Sequence, residues 1–458
     1  HRRFLFMTTA SHPFGLVILS PDTRVGGGPW NRGYRYDDDV VRWFSHVHAW
    51  QLCGVPVMPT TGPLKGHLGS DHYKSRFSHD TEVAEPGYHA VDLKDYGIRA
   101  ELTATCRVGF HRYTFDAAGD AWVVFGLGEE IMLPMSDVSV RRDGLNGLTG
   151  YVENAGTRRR KKPATIHFQA VFDREMEEIR AWRNGGFVDF GDSLSGPDTG
   201  IAVRFQMDKG EALLLKVALS YCDAEGARRN LEAELPHWDF DRVRMESRDT
   251  WNTWLSRIEV EGGTDARKTK FYTDLLHALK GRRRVSDVDG RYMDNTGPSP
   301  VVREIPNGPD GLPLYEHHNS DAFWGGPWSL NLLWALAWPG VTHNFCNTLV
   351  DMYRNGGLIP RGPSGGNYTF VMTAPTSTTF LVSAWMQGIR TFDIAAAYEG
   401  LLKNHGPGGL MSKAGYEHHT CIGGGVEYYL ERGYVPLGIE ANAFHIQGAA
   451  TMTLEYAY

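Results

Sequence analysis

Cysteine is scarce and scattered. The 458 residues hold five (Cys53, Cys106, Cys222, Cys346 and Cys421), none in a CxxC pair. Zinc ribbons and dithiol redox motifs are thereby excluded, and an odd count leaves at least one thiol unpaired in a monomer. Excess positive charge is lacking too: 47 lysines and arginines against 54 aspartates and glutamates give a formal charge of -7. A nucleic-acid partner, whose phosphates call for a basic surface, is not expected. No apolar run approaches the roughly 20 residues of a membrane-spanning helix, so no membrane partner is expected. The first residues do not follow the basic-then-apolar order of a signal peptide, as in a mature secreted form. GxSxG, P-loop and dinucleotide fingerprints are missing as well, which argues against serine-triad hydrolysis and phosphoryl transfer from ATP.

What is abundant is aromatic side chain and glycine: 13 tryptophans, 20 tyrosines, 21 phenylalanines and 53 glycines. Aromatic faces among glycine-rich loops suit stacking on sugars, although a buried tryptophan more often belongs to a core. The first half reads as strands. Ile166, Phe168, Ala170 and Phe172 alternate with their neighbours, as do Ile201 to Met207 and Leu213 to Leu219. Period-two alternation between turn-rich stretches points to a β-sandwich. Near residue 240 the pattern changes to helices. Residues 246–257 look helical, and Thr264 caps a helix whose Phe271, Leu275, Ala278 and Leu279 share one face. Pro327 opens and Pro339 closes "WSLNLLWALAW", apolar on nearly all sides and therefore expected to be buried. Phe345, Leu349, Met352 and Tyr353 form another stripe, ended by Asn355-Gly356-Gly357, and residues 375–387, 393–404 and the segment from Gly448 continue the series. Helices joined by long loops suggest an α/α toroid or an irregular bundle.

Four motifs invite chemistry. "EHHNSDAFWGGPW" (residues 316–328) packs two carboxylates, two histidines and two tryptophans together, and spacing alone does not choose among metal ligation, acid–base work and ligand gripping. "SDVDGRY" (286–292) resembles a calcium loop only at its start, because the twelfth position from Asp287 is Pro298 where a glutamate is required; it reads as a turn. In "FSHVHAW" (44–50), His46 and His48 fall on one face of a strand, where core or rim histidines are the default without further ligands nearby. The basic run Arg158 to Lys162, before Pro163, reads as a solvated hairpin loop. Asn367-Tyr368-Thr369 has the form of a glycosylation sequon.

"HPFGLVILSPDT" (12–23), "GYRYDDDVVRWFSHVHAW" (33–50), "FSHDTEVAEPGYHAVDL" (77–93), "VEGGTDARKTKFYTDLLHAL" (260–279) and the closing "TLEYAY" (453–458) resemble glycoside hydrolase family 92. The resemblance implies an N-terminal β-sandwich over residues 1–240, a helical linker over 241–263, and the first part of an (α/α)6 barrel over 264–458. It implies a secreted, bacterial, calcium-dependent, inverting exo-α-mannosidase acting on mannose-containing glycans. In such a reaction a glutamic acid protonates the leaving oxygen and an aspartate activates water from the opposite face. The stretches carrying those carboxylates and the calcium ligands are expected beyond residue 458, so none is assigned here.

The resemblance also assigns substrate contacts. Asp321 falls on the aspartate of a tryptophan–aspartate pair that holds the terminal mannose, with Ser320 where the tryptophan is usual; otherwise it would merely cap the following helix. Trp30, Tyr34, His46 and His48 match a segment by which the sandwich reaches over the barrel mouth. Tyr368 replaces the glutamate of an Asn-Glu-Thr, and His317 and His318 are gained beside Asp321. An acid-poor, histidine-bearing rim would suit a negatively charged aglycone, as in uncapping of mannose-1-phospho-6-mannose. The rival reading is a non-catalytic mannose-glycan-binding protein or fragment.

Overall fold

A computed structural model of the chain describes residues 10–25, 32–281, 283–319, 326, 329–370, 376–413, 426–437 and 453. It falls into two units, residues 1–155 with 163–288 and residues 156–162 with 289–458.

The first unit is a sandwich of two antiparallel sheets. One runs in the order Ala10–Ser11, Ile18–Asp22, Trp43–Ala49, Leu52–Thr61, Gly119–Phe125, Thr199–Met207, Glu178–Arg183 and Gly186–Val188. The other runs Ser193–Ser195, Met135–Asp143, Gly147–Asn154, Ala164–Phe172, Ala212–Ser220, Val108–Phe115, Ile98–Ala104, Tyr88–Leu93 and Val83–Glu85. The three segments read as alternating strands are strands, and their alternation places Phe172 and Phe205 against each other across the core at 4.8 Å between ring centroids. Burying such faces, at about 25 cal/mol per Å² of apolar area, is the main force holding the sheets together.

Two polar bridges cross this apolar interface. Asn154 of the second sheet accepts from the Cys53 amide at 3.0 Å and donates to the Cys53 carbonyl at 3.0 Å. The second bridge is a chain of three fully buried side chains. His46 Nδ1 lies 2.6 Å from the Val55 carbonyl, so it carries the proton and its Nε2 is left to accept. His111 Nε2, 2.9 Å away on the other sheet, must then be the donor, and His111 Nδ1 accepts from the Tyr113 hydroxyl at 2.7 Å. Gly109 makes room for this: a Cβ there would come within 2.7 Å of His46 Cδ2.

Helix Ala224–Glu234 and helix Phe240–Leu255 pack on the sandwich, with Asp223 and Asp239 capping their first turns. Phe240 and Val243 join Tyr88 and Phe110 in one cluster, and Trp251 Nε1 donates to the Ser11 carbonyl at 2.6 Å. Helix Asp265–Ala278 is capped by Thr264 as its sequence suggests and also belongs to the first unit. Asp287 of the expected turn accepts from Ser220 and Asn230, each at 2.8 Å.

The second unit is helical, with helices Leu330–Ala337, Pro339–Gly356, Thr376–Met386, Ile394–His405 and Val426–Arg432, and a hairpin of Arg291–Asp294 with Val301–Glu304. Pro339 ends one helix and is also the first residue of the next, where its missing N–H costs nothing. Phe345, Leu349 and Met352 are buried as a stripe, and Gly357 closes the helix at φ 80°. Two expectations are corrected. Helix Leu330–Ala337 is not buried all round: Trp334 is, while Leu332 and Leu336 on the other side are 53% and 83% exposed. The basic run is only in part a solvated loop: Arg158 and Lys161 are exposed. Residues 156–162 belong to the helical unit, Arg160 is fully buried with a guanidinium bond to the Lys162 carbonyl, and Lys162 Nζ donates to the Asn295 carbonyl at 3.0 Å. Two of its five side chains thus spend donors on backbone carbonyls, which composition alone does not reveal. The segment from Gly448 lies outside the described residues apart from Thr453.

Burial holds His46 down to about 4 and His111 well below the usual histidine range. An unfolded chain takes up protons on both near pH 6.5 and the folded one does not, so stability is whole above about pH 6.5 and falls as pH drops toward 4. The melting temperature followed from pH 7 to pH 4 is expected to fall, and a His46→Leu/His111→Leu variant to show a flatter profile; an identical profile would remove the bridge as the cause. Gly109→Ala is expected to cost about 1–3 kcal/mol in urea unfolding, because the Cβ overpacks the His46 ring.

Candidate functional site

Trp30 and Asp321 lie outside the described residues. His46 and His48 do not reach a ligand, which corrects their assignment as sugar contacts. Both are fully buried in strand Trp43–Ala49, and both nitrogens of each ring face protein partners. His48 Nδ1 is 2.7 Å from the Ile18 carbonyl and its Nε2 2.9 Å from Asp22 Oδ1. Trp43 Nε1 donates to Asp22 Oδ2 at 2.8 Å and the Ser45 hydroxyl donates to the same oxygen, so the carboxylate is fully occupied. Ser45, His48 and Asp22 together are no catalytic triad: serine and aspartate meet the same ring nitrogen, and the cluster is sealed from solvent.

Tyr34 is placed differently. It lines a groove of about 880 Å³ in the first unit, between residues 34–36 and 79–86 on one side and residues 255–277 on the other. Its hydroxyl donates to Glu82 Oε2 at 2.9 Å, and His79 Nδ1 reaches the same oxygen at 2.5 Å. His79 Nε2 is 2.7 Å from the Tyr36 carbonyl, so both ring nitrogens face oxygen acceptors, and the Tyr36 ring lies flat on the imidazole at 4.1 Å and 15°. Burial opposes charge on His79, but the bonds to Glu82 and the Tyr36 carbonyl outweigh it and raise its pKa. Glu82 Oε1 lies 3.3 Å from His89 Nε2 in a geometry that makes no hydrogen bond. Burial takes His89 down to about 3, so the contact is no ion pair. The sequence signal for this group was the His79-x-x-Glu82 spacing inside a segment noticed only for its resemblance.

In the second unit His317 and His318 are each 1% exposed, so the expected histidine-bearing rim is corrected to a buried pair. Burial lowers His317 to about 3, and its ring is covered by Tyr292 at 4.0 Å and 11°. It therefore brings no positive charge for an anionic aglycone at neutral pH. The backbone N–H of His318 donates to Thr348 Oγ1 at 2.9 Å. Tyr368 is a clamp on a helix end: its hydroxyl donates to the Met352 carbonyl at 2.7 Å and accepts from the Leu358 N–H at 3.2 Å. It ties the last turn of helix Pro339–Gly356 to the segment that follows it. Asn367 and Thr369 of the sequon are buried, so the folded chain offers no glycosylation acceptor there.

A carboxylate pair unnoticed in the sequence sits in the same unit. Burial raises Asp351 to about 6, and it accepts from the Tyr315 hydroxyl. Burial opposes charge on Asp294 also, but Thr296 and Arg303 donate to it at 2.6 Å each and hold its pKa low. Among the described residues no group of three His, Cys, Asp or Glu is arranged to hold a metal ion.

Tyr368→Phe removes the bond to Met352 and leaves the Leu358 N–H without its acceptor. The expected cost is about 1–3 kcal/mol in denaturant unfolding. A stability equal to that of the parent chain would contradict the clamp.

Residues 4–220 match the glycosyl hydrolase family 92 N-terminal domain and residues 226–458 the glycosyl hydrolase family 92 catalytic domain. An uncharacterized secreted glycosidase of Arthroderma benhamiae is 23% identical over 449 residues, covering 88% of this chain and 52% of the relative. The chain thus spans about half the length of this curated relative. A family GH92 α-mannosidase from Bacteroides thetaiotaomicron, solved with mannoimidazole, superposes at a TM-score of 0.85 with 23% identity, over 100% of this chain and 58% of that one. An inverting GH92 mannosidase from the same organism gives 0.81 at 23% identity, over 94% and 56%. At that identity these structures speak for the fold, and the family models for the family: the chain belongs to glycosyl hydrolase family 92.

Proposed function

We propose that the protein releases terminal α-linked mannose from glycans with inversion, and that its helical unit forms the first part of an (α/α)6 barrel. The observation that carries this reading is the match of residues 226–458 to the family's catalytic domain; the fold shared with α-mannosidases supports it. Inversion requires two carboxyl groups roughly 6.5–9.5 Å apart with a water between. No pair of described residues is assigned to that role. Calcium is proposed from the family resemblance alone. The described side chains form no metal-ligand cluster, so no calcium site is assigned to them and no step is derived through the ion. Secretion is proposed from the secreted relative.

A neutral mannoside is preferred as substrate over mannose-1-phospho-6-mannose. The histidines that favoured a phosphate are buried, and His317 is neutral. What remains for the phosphodiester is the tyrosine at position 368 where the family has a glutamate, and its hydroxyl is used on the helix end.

Mannose release by the natural full-length protein should be measured on α-mannobiose and on mannose-1-phospho-6-mannose, each with and without a calcium chelator. Faster release from α-mannobiose, abolished by the chelator, is the expected result. No release from either would leave the glycan-binding reading; chelator-insensitive release would remove calcium.

A further inference from the structure

The groove beside Tyr34 is built as a binding surface in its own right. Tyr36 is 65% exposed, an unusual position for a large ring that nonetheless has a fixed orientation. What fixes it is the His79 ring beneath it, itself tied at both nitrogens to Glu82 and to the Tyr36 carbonyl. Glu82, with only 7% of its side chain exposed, also holds the Tyr34 hydroxyl, so one buried carboxylate orients two side chains of the groove wall. Across from them the groove is lined by Tyr272, Lys268 and Thr269 of helix Asp265–Ala278. An aromatic face held flat beside fixed hydroxyl and amino groups matches a pyranose, whose C–H face stacks while its hydroxyls exchange hydrogen bonds.

The charge of the lining narrows the ligand. Glu82, Glu85 and Asp265 contribute three carboxylates, balanced by Lys268, the His79 imidazole and Arg244, which pairs with Glu85 at 3.3 Å. No surplus cation is left to pair with a phosphate or uronate, so desolvating such an anion in the groove goes uncompensated, and an uncharged sugar carries no such cost.

We propose that this groove is an accessory binding site for a neutral oligosaccharide, with Tyr36 as the stacking platform and the His79–Glu82 pair as its positioning residues. It needs no catalytic carboxylate and does not rest on the mannosidase reading.

The test is 19F NMR of the full-length protein labelled with 3-fluorotyrosine, the Tyr36 signal being the one lost in Tyr36→Phe. Thio-linked α-mannobiose, which resists hydrolysis, serves as the neutral probe and mannose 6-phosphate as the anionic one. A saturable shift of the Tyr36 signal with the disaccharide, at least tenfold weaker with mannose 6-phosphate, is expected. Glu82→Ala should weaken the disaccharide response about tenfold, since the platform loses its support. A Tyr36 signal that does not move, or moves equally with both probes, would overturn the proposal even if Glu82→Ala fails to fold. Because binding is read at Tyr36 and not as mannose release, failure of the mannosidase reading leaves this result distinguishable.

Discussion

The hydrogen bond from His111 to His46 constrains the sandwich more tightly than any single apolar contact in it. Hydrophobic burial holds two sheets together but is non-directional, and a sheet sliding along its partner can exchange one apolar neighbour for another. A buried donor and acceptor allow no such freedom, because a lost partner costs the full desolvation of each group. The bond spans the two sheets, its tautomers are dictated by Val55 at one end and Tyr113 at the other, and Gly109 leaves the space it needs. The Cys53–Asn154 bridge adds a second fixed point. Both lie between the two sheets, a polar frame inside an apolar core.

Much of the fold was legible in the sequence because its signals are local. Alternation named the strands that became Ala164–Phe172, Thr199–Met207 and Ala212–Ser220, and Thr264 announced the helix that follows it. Misreadings arose where the outcome depends on distant partners. Leu332 and Leu336 look as buried as Trp334 in any window of sequence, and only packing separates them. Lys162 looks like any solvated lysine, because nothing in a basic run says which amine will find the distant Asn295 carbonyl.

The site was less legible, for a related reason. A histidine pair at strand spacing suits a rim or a core equally well, and the deciding fact, the carbonyls of Val55 and Ile18, comes from other strands. His317 and His318 looked like part of an exposed cluster, yet Tyr292 and Thr348, distant in the chain, enclose them. Tyr34 was singled out on resemblance, while its partners Glu82 and His79 passed unremarked although their spacing already placed them within reach. His46, His48, His317 and His318 are thus buried in the fold, while Tyr34, His79 and Glu82 line a groove.

That division is tested most directly by 15N NMR of histidine-labelled protein at neutral pH, read before and after addition of a mannoside. With His46 and His111 as frame, His46 shows the Nδ1–H form and His111 the Nε2–H form, both protected from solvent exchange and unmoved by the sugar. Rapid exchange at either ring, or a shift of the His46 signals on adding the sugar, would return that histidine to the binding site and contradict the frame.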